Sequence, residues 1–91
     1  MEFEWDEIKN IMNIVKHGID FLDTESVFYD PFRFEYIDIR NDYGEIRHIC
    51  IGYHKNGNLI FVVYTIGDGV IRIISARKAT ARERRLYHGY R

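Results

Sequence analysis

The chain has 91 residues, which predicts one domain over residues 1–91. Hydrophobic residues make up 46% and aromatics 15%, which excludes a disordered chain, and the lone Cys50 excludes an intrachain disulfide or a cysteine-based metal site. The net charge of −1 conceals an asymmetry: residues 1–46 hold twelve acids and four bases, whereas residues 72–91 hold seven bases and one acid, Glu83.

Phe3 to Trp5 is a short opening segment that can form an edge strand. Asp6 suits a helix N-cap, with Glu7 at the positive helix end. Ile8, Ile11, Met12 and Val15 recur at helical spacing and give one apolar face, with Lys9, Asn10 and Asn13 mostly on the other. Lys16-His17-Gly18 closes this helix with cations in the last turn and a glycine able to turn left-handed. A second helix, capped by Asp20, is expected to run to about Phe28 and to end at Asp30-Pro31.

Three turn signals then separate four strand-like runs, 34–39, 47–53, 59–66 and 70–77. The turns are Asn41 to Gly44, Lys55-Asn56-Gly57 and Gly67-Asp68-Gly69, and Asn-Gly and Asp-Gly are strong hairpin signals. The third run is apolar on both faces, so it should be central and covered on both sides. Thr80-Ala-Arg-Glu83 matches a capping box and starts a last helix through about His88. The predicted class is α+β: an antiparallel meander of about four strands, two N-terminal helices and one C-terminal helix, with the helices packed on the sheet.

The cationic stretch from Arg72 to Arg91 spans a strand-to-helix junction, a setting that suits a polyphosphate ligand. Strict alternation puts Arg72, Ile74 and Ala76 on one face, and Ile71, Ile73, Ser75 and Arg77 on the other. Arg72 therefore either pairs with an acid such as Glu35 or Asp38 or lines a concave, solvent-open surface. Arg77, Lys78 and Arg82 surround the junction; Arg84, Arg85 and Arg91 read as solvated surface or peripheral phosphate contacts. His17 reads either as a general acid or base or as a cap for the helix end. Cys50 reads as a buried, inert thiol, and Tyr64 as a core ring before a base-stacking one. No histidine spacing marks a metal site, no cofactor motif is present, and no signal peptide, lipidation motif or membrane-length apolar span appears, so the expected location is the cytoplasm.

These residues resemble the BrnT family, the toxin half of a bacterial type II toxin–antitoxin pair. The resemblance rests on Phe3-Glu4-Trp5-Asp6, Lys9, Asn13, Lys16-His17-Gly18, Phe21, Val27-Phe28, Asp30-Pro31, Arg47 and Gly52. It continues through Arg72-Ile73-Ile74-Ser75-Ala76-Arg77-Lys78-Ala79-Thr80, then Arg82 to Arg85 and Tyr87. It implies a RelE-like fold and metal-independent RNA cleavage that halts translation and growth. It also implies a BrnA-like antitoxin that masks the toxin in a complex of two copies of each chain and meets operator DNA itself. RNA can be cut without metal when its own 2′-hydroxyl is activated against the adjacent phosphate, given a proton acceptor, a proton donor and cations. The expected catalytic residues are His17 for proton transfer and Arg47, Arg72 and Arg77 for phosphorane-like charge, with Lys16, Lys78 and Arg82 on flanking phosphates. Arg72 and Arg77 are expected to converge on one hollow. The charge pattern alone fits two other readings: a non-catalytic module whose basic strand and helix dock nucleic acid or an acidic protein, and an antitoxin-binding fold without activity.

Overall fold

The computed structural model describes residues 1–89; Tyr90 and Arg91, and with them the expected role of Arg91, lie outside the described residues. Strand β1 (Glu2–Trp5) leads into helix α1 (Glu7–His17), then a 3₁₀ segment (Phe21–Tyr29). Strands β2 (Phe34–Ile37), β3 (His48–Tyr53), β4 (Leu59–Gly67) and β5 (Val70–Lys78) follow, and helix α2 (Ala81–His88) comes last. The sheet order is β1-β5-β4-β3-β2. The four-strand antiparallel meander is present, but the sheet is mixed, because β1 adds to β5 in parallel.

The turns follow their chemistry. Asp68 and Gly69 both take positive φ, 53° and 77°, as a two-residue hairpin between β4 and β5 requires. β4 is the middle strand and sorts its side chains cleanly. Ile60, Val62 and Tyr64 join Phe21, Val27 and Phe28 of the 3₁₀ segment in one core layer; Leu59, Phe61 and Val63 join Ile49, Ile51 and Tyr87 of α2 in the other. Both faces are thus covered, as its unbroken apolar run predicts.

Two expectations fail for identifiable reasons. The second helix is 3₁₀ rather than α. Within it Thr24 Oγ1 donates to the carbonyl of Phe21 and Ser26 Oγ to that of Asp23, local side-chain bonds that compete with the α-helical ladder. Gly52 lets this segment lie close on β3: a Cβ there would sit 2.8 Å from the Val27 carbonyl oxygen. Strict alternation in β5 also fails. Val63 pairs with Ser75 but Tyr64 with Ile73, so Ile74 is the extra residue of a bulge. The bulge resets the phase. Ile71, Ile73 and Ala76 share one layer, while Arg72 and Arg77, opposite Thr65 and Phe61, come to the same face.

Helix α1 is built as expected and mounted the other way round. Asp6 accepts hydrogen bonds from the Ile8 and Lys9 amides, and Gly18, at φ 71°, closes the end by donating to the Ile14 carbonyl. The side turned to the body carries Asn10 and Asn13, both buried, whereas Ile8, Ile11, Met12 and Val15 face solvent. Asn13 explains the mounting. Its Nδ2 donates to the carbonyl of Ala76 (2.9 Å), and its Oδ1 accepts from the Ala76 amide (3.1 Å). The side chain continues the ladder on the edge of β5 beyond the last residue paired with β1, satisfying backbone groups that would otherwise be buried unpaired. Asn10 in turn accepts from the Phe21 amide and donates to Asp20.

Candidate nucleic-acid interface

The Asn13–Ala76 bonds bring the C-terminal turn of α1 against the end of β5, just where α2 begins. Lys16 and His17 line a hollow whose floor includes Ile74 and Ser75 of β5. His17 is half-buried, and burial, Lys16 and Arg77 together lower its pKa from the ordinary histidine value. A neutral imidazole is therefore the dominant form near pH 7, the form that accepts a proton.

Arg77 is fixed on three sides. Its guanidinium lies 4.0 Å from the centroid of the Phe61 ring. Its two terminal nitrogens donate to the two oxygens of Glu83, at 2.7 and 2.9 Å. Glu83 also accepts from the Thr80 amide at 2.8 Å, while Thr80 Oγ1 accepts from the Glu83 amide. One carboxylate thus closes the capping box of α2 and anchors the arginine at the end of the preceding strand. These bonds lower the pKa of Glu83 although burial pushes it up.

A cleft of about 410 Å³ opens beside this corner, lined by Tyr36, Asp38, Arg40, Phe61, Arg82 and Glu83 among others. Arg40 stands 5.3 Å from the same Phe61 ring and bonds both oxygens of the buried Asp38, at 2.8 Å each. Those bonds hold the Asp38 pKa at about 2. Burial raises the pKa of the Tyr36 hydroxyl, which stays protonated at neutral pH. Arg82 is exposed at the rim, as is Lys16 on its own side of the corner. Lys78 is exposed too, but it pairs with Ile60 and leaves β5 on the face opposite Arg77.

The remaining expected site residues lie elsewhere. Arg72 is opposite Thr65, four residues along β4 from Phe61, which puts it about 13 Å from the Arg77 row. Its nearest acid is neither Glu35 nor Asp38, which pair with Arg33 and Arg40, but Glu4 of the parallel strand, at 3.9 Å. It lines a separate hollow with Glu45 and Asp68. Arg47 pairs with Glu45 at 3.0 Å and lies over the Tyr43 ring at 4.1 Å. The expected convergence of Arg72 and Arg77 on one hollow is therefore not what the structure shows. They share a face, and each has its own carboxylate. Tyr64 is a core residue, 4.9 Å from Phe28 edge-on, and Cys50 is fully buried with its thiol pushed up to about 12. Among the described residues no group of three His, Cys, Asp or Glu side chains could hold a metal ion.

Phe61, Tyr36 and Arg40 escaped the sequence reading. Arg40 sits past the last expected strand residue and carries no local signal. Phe61 was hidden for another reason: unbroken pairing across the Asp68-Gly69 turn, with Gly67 opposite Val70, would set it beside Ala76, and only the bulge brings Arg77 opposite it.

The model of the ribonuclease toxin BrnT of type II toxin–antitoxin systems matches residues 5–83 of the chain. Among solved structures, the ribonuclease toxin BrnT of Brucella abortus is similar: 29% identity, a TM-score of 0.66, and coverage of 88% of this chain and 97% of that one. No curated protein sequence matches. No helix among the described residues is long and apolar enough to cross a membrane. With a match over nearly its whole length and a shared fold, the chain belongs to the BrnT family of type II ribonuclease toxins.

Proposed function

We propose that the chain is an endoribonuclease that cuts RNA without metal, at the corner where α1, β5 and α2 meet. The observation that carries this reading is the placement of His17: the Asn13–Ala76 bonds hold the end of α1, with Lys16 and His17, over the end of the strand that carries Arg77. In the proposed reaction His17 accepts the proton of an RNA 2′-hydroxyl. The 2′-oxygen bonds to the adjacent phosphorus, the bond to the 5′-oxygen breaks, and that oxygen leaves with a proton. The products are a 2′,3′-cyclic phosphate and a 5′-hydroxyl. Arg77 stabilises the charge on the phosphorane, exchanging part of its Glu83 pairing for phosphate oxygens. Lys16 and Arg82 hold flanking phosphates, with Lys78 at the sheet rim. The protonated Tyr36 in the neighbouring cleft is suited to donate toward the leaving oxygen.

Arg72 and Arg47 serve this reaction at a distance. They lie toward the far end of the same sheet face, where a strand leaving the corner would meet them. A mixed sheet carrying helices supports placing the fold with RelE-like toxins. The family supports a protein antitoxin; in this reading it is BrnA-like, forms a complex of two copies of each chain, and alone meets operator DNA. Cleavage of cellular RNA places the toxin in the cytoplasm.

The carboxylates on Arg72 and Arg77 favour a second reading, a module that binds RNA or an acidic protein without cutting. Induction in a host lacking the antitoxin separates the two. Wild type should arrest growth, Arg77→Ala should relieve arrest, and Arg72→Ala should relieve it only in part. Full growth with wild type, and intact RNA in its lysate, would leave the binding module.

A further inference from the structure

Among the described residues nothing covers the apolar stripe of α1. Ile8, Ile11, Met12 and Val15 are 71, 55, 65 and 84% exposed, although they sit at the i, i+3, i+4, i+7 spacing that normally seats a helix on its core. The seating is done instead by Asn10 and Asn13, through hydrogen bonds. A contiguous apolar strip of this kind on a small protein marks a protein contact. Its surroundings state the partner's chemistry. Lys9 and Lys16 run along one flank, Glu7 stands on the other at the N-terminal end, and His17 lies at the C-terminal end, so the C-terminal part of the strip is the cationic one. The strip continues over Met12 and Val15 into the hollow floored by Ile74 and Ser75. An occupant needs apolar side chains at helical or strand spacing with carboxylates beside them.

We propose that this face of α1 is the docking site of the antitoxin, which lays an acidic amphipathic segment along Ile8, Ile11, Met12 and Val15 and in doing so covers Lys16 and His17. The docking rests on the chain's membership in a toxin–antitoxin family; the masking rests in addition on the role of His17 proposed above. A second copy of this chain is disfavoured, because two such helices packed antiparallel about a twofold axis would oppose lysine to lysine.

The test is calorimetric titration of the purified chain with its cognate antitoxin, comparing wild type, Ile8→Glu/Met12→Glu and Lys9→Glu. Both substituted faces are exposed and glutamate is a good helix former, so circular dichroism should be unchanged. The double variant should lose affinity on the order of 100-fold, since residues central to such a strip dominate binding. Lys9→Glu should weaken binding roughly tenfold, more at low salt than at high salt. RNA cleavage by the single variant Ile8→Glu, which lies outside the hollow of His17, should persist and be silenced less by added antitoxin. Double-variant affinity within threefold of wild type would overturn the proposal. So would tighter binding by Lys9→Glu, or light scattering that finds the free chain dimeric and the double variant monomeric. If wild type fails to cut RNA but binds antitoxin through this face, the docking stands and the ribonuclease reading falls.

Discussion

Asn13 and Ala76, 63 residues apart, exchange two hydrogen bonds, and this pair sets where α1 sits and hence where His17 points. Because Ala76 is fully buried, removing the amide strands both a backbone N–H and a C=O. Asn13→Ala should cost about 2–4 kcal/mol, lowering Tm by roughly 10–25 °C in a domain of this size. Thermal unfolding checks it; a loss of less than about 0.5 kcal/mol would mean that the apolar layers alone hold the helix in place.

Glu83 ties the strand's arginine to the helix cap, so in the proposed reaction it competes with phosphate for Arg77 as well as holding α2 on. Glu83→Gln keeps a hydrogen-bonding side chain and removes the charge that occupies Arg77. Stability should fall by about 1–2 kcal/mol while RNA affinity rises severalfold at low salt. Fluorescence titration with a short RNA measures the second effect. Unchanged affinity would show that the Arg77 fork does not meet phosphate.

Asp38 gives the fold an acid limit. Its folded pKa, about 2, lies below the unfolded carboxylate value, so the unfolded chain takes up the proton first. The stabilisation is complete above about pH 4 and is lost as pH falls toward 2. After allowance for the half-exposed Arg40, the change is about 1–2 kcal/mol. Denaturant midpoints between pH 5 and 2 should fall more steeply for wild type than for Asp38→Asn.

Sequence reading succeeded where the signals are local. The Asp6 cap, the Gly18 turn, the Asp68-Gly69 hairpin and the Thr80–Glu83 capping box all lie within four residues of their partners. The central place of β4 followed from its two apolar faces. What stayed illegible depends on partners far away in the chain. The stripe on α1 was readable but its direction was not, because a backbone edge 63 residues on decides it. The bulge at Ile74, which brings Arg72 and Arg77 to one face, leaves no trace in a run of Ile, Ser and Ala. Of the expected site residues, Lys16, His17, Arg77 and Arg82 gather at one corner. Arg47 and Arg72 lie apart from it, and Lys78 turns to the other face. Charge density along the chain located the junction and could not tell its two faces apart.

The most direct measurement is of the RNA ends made by the purified chain in a chelator. The account predicts 2′,3′-cyclic phosphate and 5′-hydroxyl ends without metal. The rate should rise with pH to a plateau whose midpoint lies below the ordinary histidine value. His17→Gln and Arg77→Ala should each slow it by about 100-fold or more, and Arg72→Ala by less than about tenfold. RNA left intact until a divalent metal is added, or a His17→Gln protein that cuts at the wild-type rate, would contradict it.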